Sequence, residues 1–425
     1  MRRSSLFLLS LVAAACGDQE GEEVPFVELA ADSEDSIDGF NASNPPPSRV
    51  ALDPSVSGFE SGGALLAATD TFQGAVPGRF VENRPVVQVV DAEGQPMAGV
   101  AVLFRTLNGG LVASSSAVTD EDGFAQVLDW QVGKSVGVYG LEAVAGGAAL
   151  LFAAEATSSF GIQLRFETDV SDGVRASFEA AAARWSGVIR GDLTDITFDL
   201  DDLPADCDVD DGAAVRVDDL LILVVVREID GEGQVLGQAG PCLVRTVDQS
   251  PLVGLMEFDR ADLSRLLSRG LLDDTILHEM GHVIGIGILW EGLLQNRSVP
   301  DNSLADTRFL GDAAAARYQE LGGSGFVPVE NSGVPGSADG HWRESIFDNE
   351  LMTPQLTLSD GALPLSVVTV GSLEDLGVYQ VNYDAADEFQ VYNPGVAALR
   401  LEEPMAHEER LLFPRHSVDE DGTVR

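Results

Sequence analysis

Residues 275–290 read TILHEMGHVIGIGILW, and the rest of the chain is organised around them. His278 and His282 stand four residues apart, so on a helix both imidazoles share one face, one turn from each other. Two neutral imidazoles at that spacing can hold one zinc ion, and Glu279, beside the first, can reach an attacking water as general base. Ile276, Leu277, Met280, Val283 and Ile284 surround these groups, which predicts a buried helix with its polar side chains turned into a cleft. Gly285 follows three residues after His282. Glycine ends helices in the left-handed conformation at least cost, so the chain is expected to turn there.

A catalytic zinc site takes three protein ligands and leaves a fourth position for water. HExxHxxG opens the metzincin pattern, whose next histidine lies three residues beyond the glycine, but position 288 is Ile. The third ligand must come from elsewhere, and the other histidines are His341, His407 and His416. His341 opens HWRESIFDNELMTP, residues 341–354, with Met352 ahead of Thr353 and Pro354. Here the sequence resembles the leishmanolysin family of metzincin peptidases, in which a long insertion separates the glycine turn from the third histidine and an HW segment leads to an ELM turn. The resemblance implies zinc ligands at His278, His282 and His341 and the general base at Glu279. It also implies the Met-turn methionine at Met352, an apolar floor under the ligands. It covers roughly residues 160–392. His407 and His416, in a polar tail, read as solvated side chains.

Residues 1–16, MRRSSLFLLSLVAAAC, have a basic start, an apolar core and small residues before Cys16, which is a secretory signal too short to span a bilayer. The small residues before Cys16 resemble a bacterial lipobox, implying diacylation of Cys16. Cleavage without lipid is the alternative, since Ala13 stands where Leu is usual. The protein is therefore expected to be exported, either lipid-anchored to a bacterial cell envelope or secreted. With Cys16 set aside, Cys207 and Cys242 remain as an even pair, expected to bridge in an oxidising compartment. Two free buried thiols are the other reading. A net charge of −44 repels nucleic acid and anionic membrane, leaving an N-terminal lipid as the expected membrane contact. Asp201-Asp202 and the acids between 206 and 211 form acidic loops that could hold calcium, but no calcium-loop signature supports it.

Composition divides the remainder. Residues 17–50 are rich in Asp, Glu, Ser and Pro and read as a disordered tether. Residues 51–157 are short β runs (86–91, 100–107, 124–130 and 139–145) with turns at EGQPMAG and DEDG, which predicts a β-sandwich. VVDAEGQPMAGVAVLF, NGG and TDEDGFAQV resemble type 1 bacterial immunoglobulin-like domains. Residues 160–394 carry mixed strand and helix patterns: an amphipathic helix at 174–189, a buried strand LLILVVV at 220–226, and an insertion at 295–340 with a helix at 313–321. The fold class is multidomain, an all-β immunoglobulin-like sandwich followed by an α+β metzincin domain. No function is assigned to the tail, 395–425.

The expected activity is zinc-dependent hydrolysis of protein or peptide substrates, with an extended peptide aligned as an added strand along the cleft edge. Two alternatives stand beside it. One is a surface adhesion protein with an inactive peptidase-like scaffold; the other is a different zinc hydrolase, such as a cell-wall amidase.

Overall fold

The computed structural model describes residues 37–425 except 38, 208–212, 232, 234, 299–304, 334–336, 356–361 and 392–407. Cys16 with its signal segment, most of the tether, the acids at 208–211 and His407 lie outside the described residues.

The first 120 or so described residues form two stacked sheets. Arg49–Ala51, Ala64–Ala67, Val86–Val90 and Phe124–Gln126 make a four-stranded sheet in that order. Phe72–Ala75, Ala148–Ala156, Gly137–Ala145, Ala101–Leu107 and Ser116–Val118 make a five-stranded one. Their inner faces share one core, in which Leu65, Val87 and Val89 meet Val102, Phe104, Leu141 and Phe152. Along Ala101–Leu107 burial alternates, Val102 and Phe104 inward and Leu103 outward, as a strand with one wet face requires. Ala148–Ala156 carries no strong strand signal because it is alanine-rich. It is recruited by Gly146 and Gly147, both at positive φ, which close a tight hairpin onto Gly137–Ala145. The order extends further toward the N-terminus than the tether boundary at 50. Ile37 is buried against Gly140, and Arg49–Ala51 pairs with Ala64–Ala67, because scattered apolar side chains in an acidic stretch suffice to dock it.

The second half is built on a mixed sheet. Strand β1 (Ile162–Phe166) runs parallel to β2 (Leu220–Arg227), which runs parallel to β4 (Pro251–Asp259); β3 (Val235–Arg245) lies antiparallel to β4. The run LLILVVV alternates between two cores. Leu220, Ile222, Val224 and Val226 face helices α1 (Asp172–Val188) and α3 (Leu272–Ile284). Leu221, Leu223 and Val225 face a smaller core with Ile196, Phe198 and the Cys207–Cys242 pair. Burial on both faces is why the sequence shows a continuous aliphatic run, each such side chain contributing about 1.5–3 kcal/mol. Helix α1 is capped by Ser171, which accepts from the Val174 amide, and buries Phe178, Ala181, Ala182 and Trp185. Helix α2 (Arg260–Arg269), capped by Asp259, leads through left-handed Gly270 into α3. No helix among the described residues is long and apolar enough to cross a membrane.

The C-terminus departs from the polar-tail expectation. Strands β5 (Glu408–Leu411) and β6 (His416–Val418) pair in parallel with β3 and occupy its outer edge. Val418 is fully buried in the smaller core, so His416 sits in a strand and is not a free solvated side chain. The edge beside the end of α3 is thereby covered by the chain itself: the Leu412 amide donates to the Ala239 carbonyl, and neighbouring Gly240 packs against Ile288. An added peptide strand on β3 would have to replace these pairings.

Candidate metal centre

Helix α3 presents His278 and His282 one turn apart, and Gly285 ends it at φ 121°, its amide bonding back to the Gly281 and His282 carbonyls. The chain then returns through the 295–340 insertion, which carries a small three-stranded sheet and helix α4 (Asp312–Glu320). That insertion delivers His341. Glu330 donates its amide to the His341 carbonyl at 2.8 Å, and Gly287 lies so close to the Gly340 carbonyl that a Cβ there would fall 2.2 Å from it. All three imidazoles are buried.

Their ring nitrogens define the site. The three Nε2 atoms are 3.1 Å (His282 to His278), 3.1 Å (His282 to His341) and 3.2 Å (His341 to His278) apart. Each Nδ1 faces a backbone carbonyl: Leu351 at 2.7 Å for His278, Ile286 at 2.9 Å for His282 and Ser337 at 3.0 Å for His341. A carbonyl accepts only, so each Nδ1 donates and each Nε2 is the atom turned toward the other two rings. Three nitrogens around a tetrahedral zinc at about 2.0–2.1 Å lie roughly 3.3 Å from each other, so the donor set fits that ion in number, chemistry and spacing. Glu279 is buried one residue beyond His278 on the same helix.

Met352 is fully buried, and its Sδ would lie 2.9 Å from a Cβ on Gly281, which stands between the two histidine turns. Trp185 packs at the same glycine and donates Nε1 to the Leu277 carbonyl at 2.9 Å. The Sγ atoms of Cys207 and Cys242 are bonded, with Cα atoms 5.5 Å apart, in the core on the opposite face of the sheet. A second acidic group, Asp192, Asp218 and Asp219, lies outside the loops read as calcium candidates; Asp219 there accepts from the Gly161 and Leu193 amides, a structural use of the carboxylate.

Sequence reasoning missed the residue that ties the Met-turn together. Glu350 is completely buried and accepts from the Met352 amide at 2.6 Å, the Ser366 amide at 3.1 Å, Ser366 Oγ at 2.7 Å and Thr369 Oγ1. Burial pushes its carboxyl up, while the hydrogen bonds pull the other way. An acid embedded in FDNELMTP, inside an apolar context, was the available signal.

A helix-borne HExxH pair and a distant histidine thus form a three-imidazole group that could hold a metal ion. Residues 209–399 match the leishmanolysin family, peptidase family M8. The chain is 28% identical over 173 residues to leishmanolysin of Leishmania donovani, covering 39% of this chain and 28% of that protein. It is 25% identical over 212 residues to a leishmanolysin homolog of Crithidia fasciculata, covering 48% of this chain and 31% of that protein. The matches thus span under a third of the length of these curated relatives. The D0-D1 domain of intimin aligns with 22% of this chain and 62% of its own at 16% identity and a TM-score of 0.17, too low to carry a fold argument.

Proposed function

We propose that the chain is a zinc metalloendopeptidase of the leishmanolysin-like, metzincin type. The observation that supports this best is the triangle of Nε2 atoms within 3.2 Å, each ring held by a carbonyl at Nδ1, with Glu279 buried beside it. His278, His282 and His341 would hold the ion. Zinc supplies a Lewis acid that lowers the pKa of a water toward neutrality and polarises a carbonyl. Glu279 takes a proton from the attacking water and delivers it to the leaving amine. Met352, buried against Gly281 between the two helix-borne histidines, would serve as the apolar floor of the site. A protein or peptide substrate fits the family likeness; a nucleic acid does not fit a charge of −44.

The finer organisation belongs to the same proposal. The sandwich, which takes in Arg49–Ala51, is read as a bacterial immunoglobulin-like module, and the chain from 160 on as the peptidase domain, with Glu408–Leu411 and His416–Val418 added to its sheet. Export is supported by the N-terminal signal pattern and by the Cys207–Cys242 bridge, which suits an oxidising compartment. Lipidation of Cys16 is carried by sequence alone.

Glu279→Gln tests the proposal, because it removes the base and keeps the shape. The variant should bind one zinc per chain and lose peptide hydrolysis by at least about 10²-fold. Near-normal hydrolysis by the variant removes Glu279 from the mechanism. A wild-type chain that binds zinc yet cleaves no member of a peptide library leaves the inactive-scaffold reading instead.

A further inference from the structure

We propose that Glu350 is a positioning residue of the metal centre, a carboxylate that holds the surroundings of two of its ligands in register. The inference rests on the reading of His278, His282 and His341 as metal ligands, and it concerns how the fold keeps their rings aimed.

Two paths run from Glu350 to the ligands. Through Oε2 it accepts from the Met352 amide at 2.6 Å, which closes the turn 350–352. The carbonyl in the middle of that turn, Leu351, is the one that receives Nδ1 of His278 at 2.7 Å. Through Oε1 it accepts from Thr369 Oγ1, and Thr369 Oγ1 in turn accepts from Nε1 of Trp342 at 2.8 Å, the residue directly after His341. The two paths are joined again by the Trp342 amide, which donates to the Met352 carbonyl at 3.0 Å. Ser366, which caps helix α5 (Val367–Asp375), gives Oε1 two further donors, its amide at 3.1 Å and its hydroxyl at 2.7 Å. The carboxylate therefore joins a helix start, the Met-turn and the tryptophan beside the third ligand.

The chemistry requires two acceptor oxygens. A backbone N–H approaches each of them, from Met352 on one side and Ser366 on the other. An amide at this position must point its NH2 at one of those N–H groups, and a buried donor facing a donor is unsatisfied on both sides. Aspartate is one methylene too short to reach both. Glu350 touches neither substrate nor the reacting atoms, so its effect passes through ring orientation, as with other groups that hold metal ligands from behind.

Zinc affinity by chelator competition and the visible spectrum of the cobalt(II)-substituted full chain provide the test. Wild type should bind one metal and show the intense bands of four-coordinate cobalt. Glu350→Gln should lose about 10- to 100-fold in zinc affinity and shift those bands. Thr369→Val, which cuts the path to Trp342, should shift them in part, while Thr369→Ser, which keeps the hydroxyl, should match wild type. Asp375→Asn is the control for stability alone. It removes a carboxylate at the other end of the same helix, one that accepts from the Ala313 and Ala314 amides. It should lower the melting temperature and leave the spectrum unchanged. If wild type binds metal and both Glu350→Gln and Thr369→Val keep its affinity and spectrum, or if Asp375→Asn changes them equally, the positioning role is overturned. A wild type that binds no stoichiometric metal overturns the ligand assignment along with it. Should Glu350→Gln fail to fold, the Thr369 pair decides the matter.

Discussion

Gly254 on strand β4 and Val283 on helix α3 meet with nothing between them: a Cβ built on the glycine would fall 2.1 Å from Val283 Cγ1. Val283 follows His282, so this contact sets the depth at which the histidine-bearing helix lies on the sheet. It is a backbone-to-side-chain approach that only glycine permits, since a Cβ contact that short is repulsive.

Gly254→Ala should therefore push α3 outward at the ligands. Overpacking of this kind costs about 1–3 kcal/mol, and the displacement should also reduce zinc affinity. Thermal denaturation and a zinc titration check both effects. Unchanged values in both would mean that the sheet absorbs the methyl group.

His341→Ala removes the ligand that arrives across the insertion. The variant should fold, lose zinc on dialysis and lack activity, because affinity in such sites follows ligand number and geometry. His416→Ala should keep stoichiometric zinc, since His416 sits in the edge strand paired with Leu243. Bound zinc measured in the two variants is the readout, and the reverse pattern would reject His341.

A chain ended at residue 394 should be less stable than one ended at 425. The longer chain keeps Val418 in the core beside Cys242, and Gly422 packs on the Thr197 carbonyl. Losing the burial of Val418 alone withdraws about 1.5–3 kcal/mol. Urea denaturation of the two fragments, both begun at residue 37, measures it; equal midpoints would make β5 and β6 dispensable.

Asp387 links the two halves of the described chain, pairing with Lys134 at 2.6 Å and with Arg184 at 3.2 Å. Burial alone would raise its carboxyl, but Arg184 and Lys134 outweigh that and hold it below the usual range. A depressed folded-state pKa contributes stability that is present above the unfolded value, about 3.9, and is lost as pH falls through the folded one. Acidification below about pH 4 should weaken this junction, and Asp387→Asn should remove that component of the pH dependence. Melting temperature against pH for the two proteins decides it.

The helix-borne part of the candidate centre was legible in the sequence because its pattern is local, HExxH at helical spacing with a glycine to end the helix; His341 was reached only through the family resemblance and the scarcity of other histidines. Strands such as Val86–Val90 and Leu220–Arg227 were legible for the same reason, as alternating or fully buried aliphatic runs. Tertiary structure alone decided what depends on distant backbone. It brought Nε2 of His341 to 3.1 Å from that of His282, set Glu350 among four donors, and placed Leu351 behind His278. It also turned a charged C-terminal stretch into edge strands of the central sheet. The physical reason is that a strand or helix periodicity is written in neighbouring side chains. A buried carboxylate or an edge pairing is instead satisfied by amides far away in the chain, and no local pattern records them.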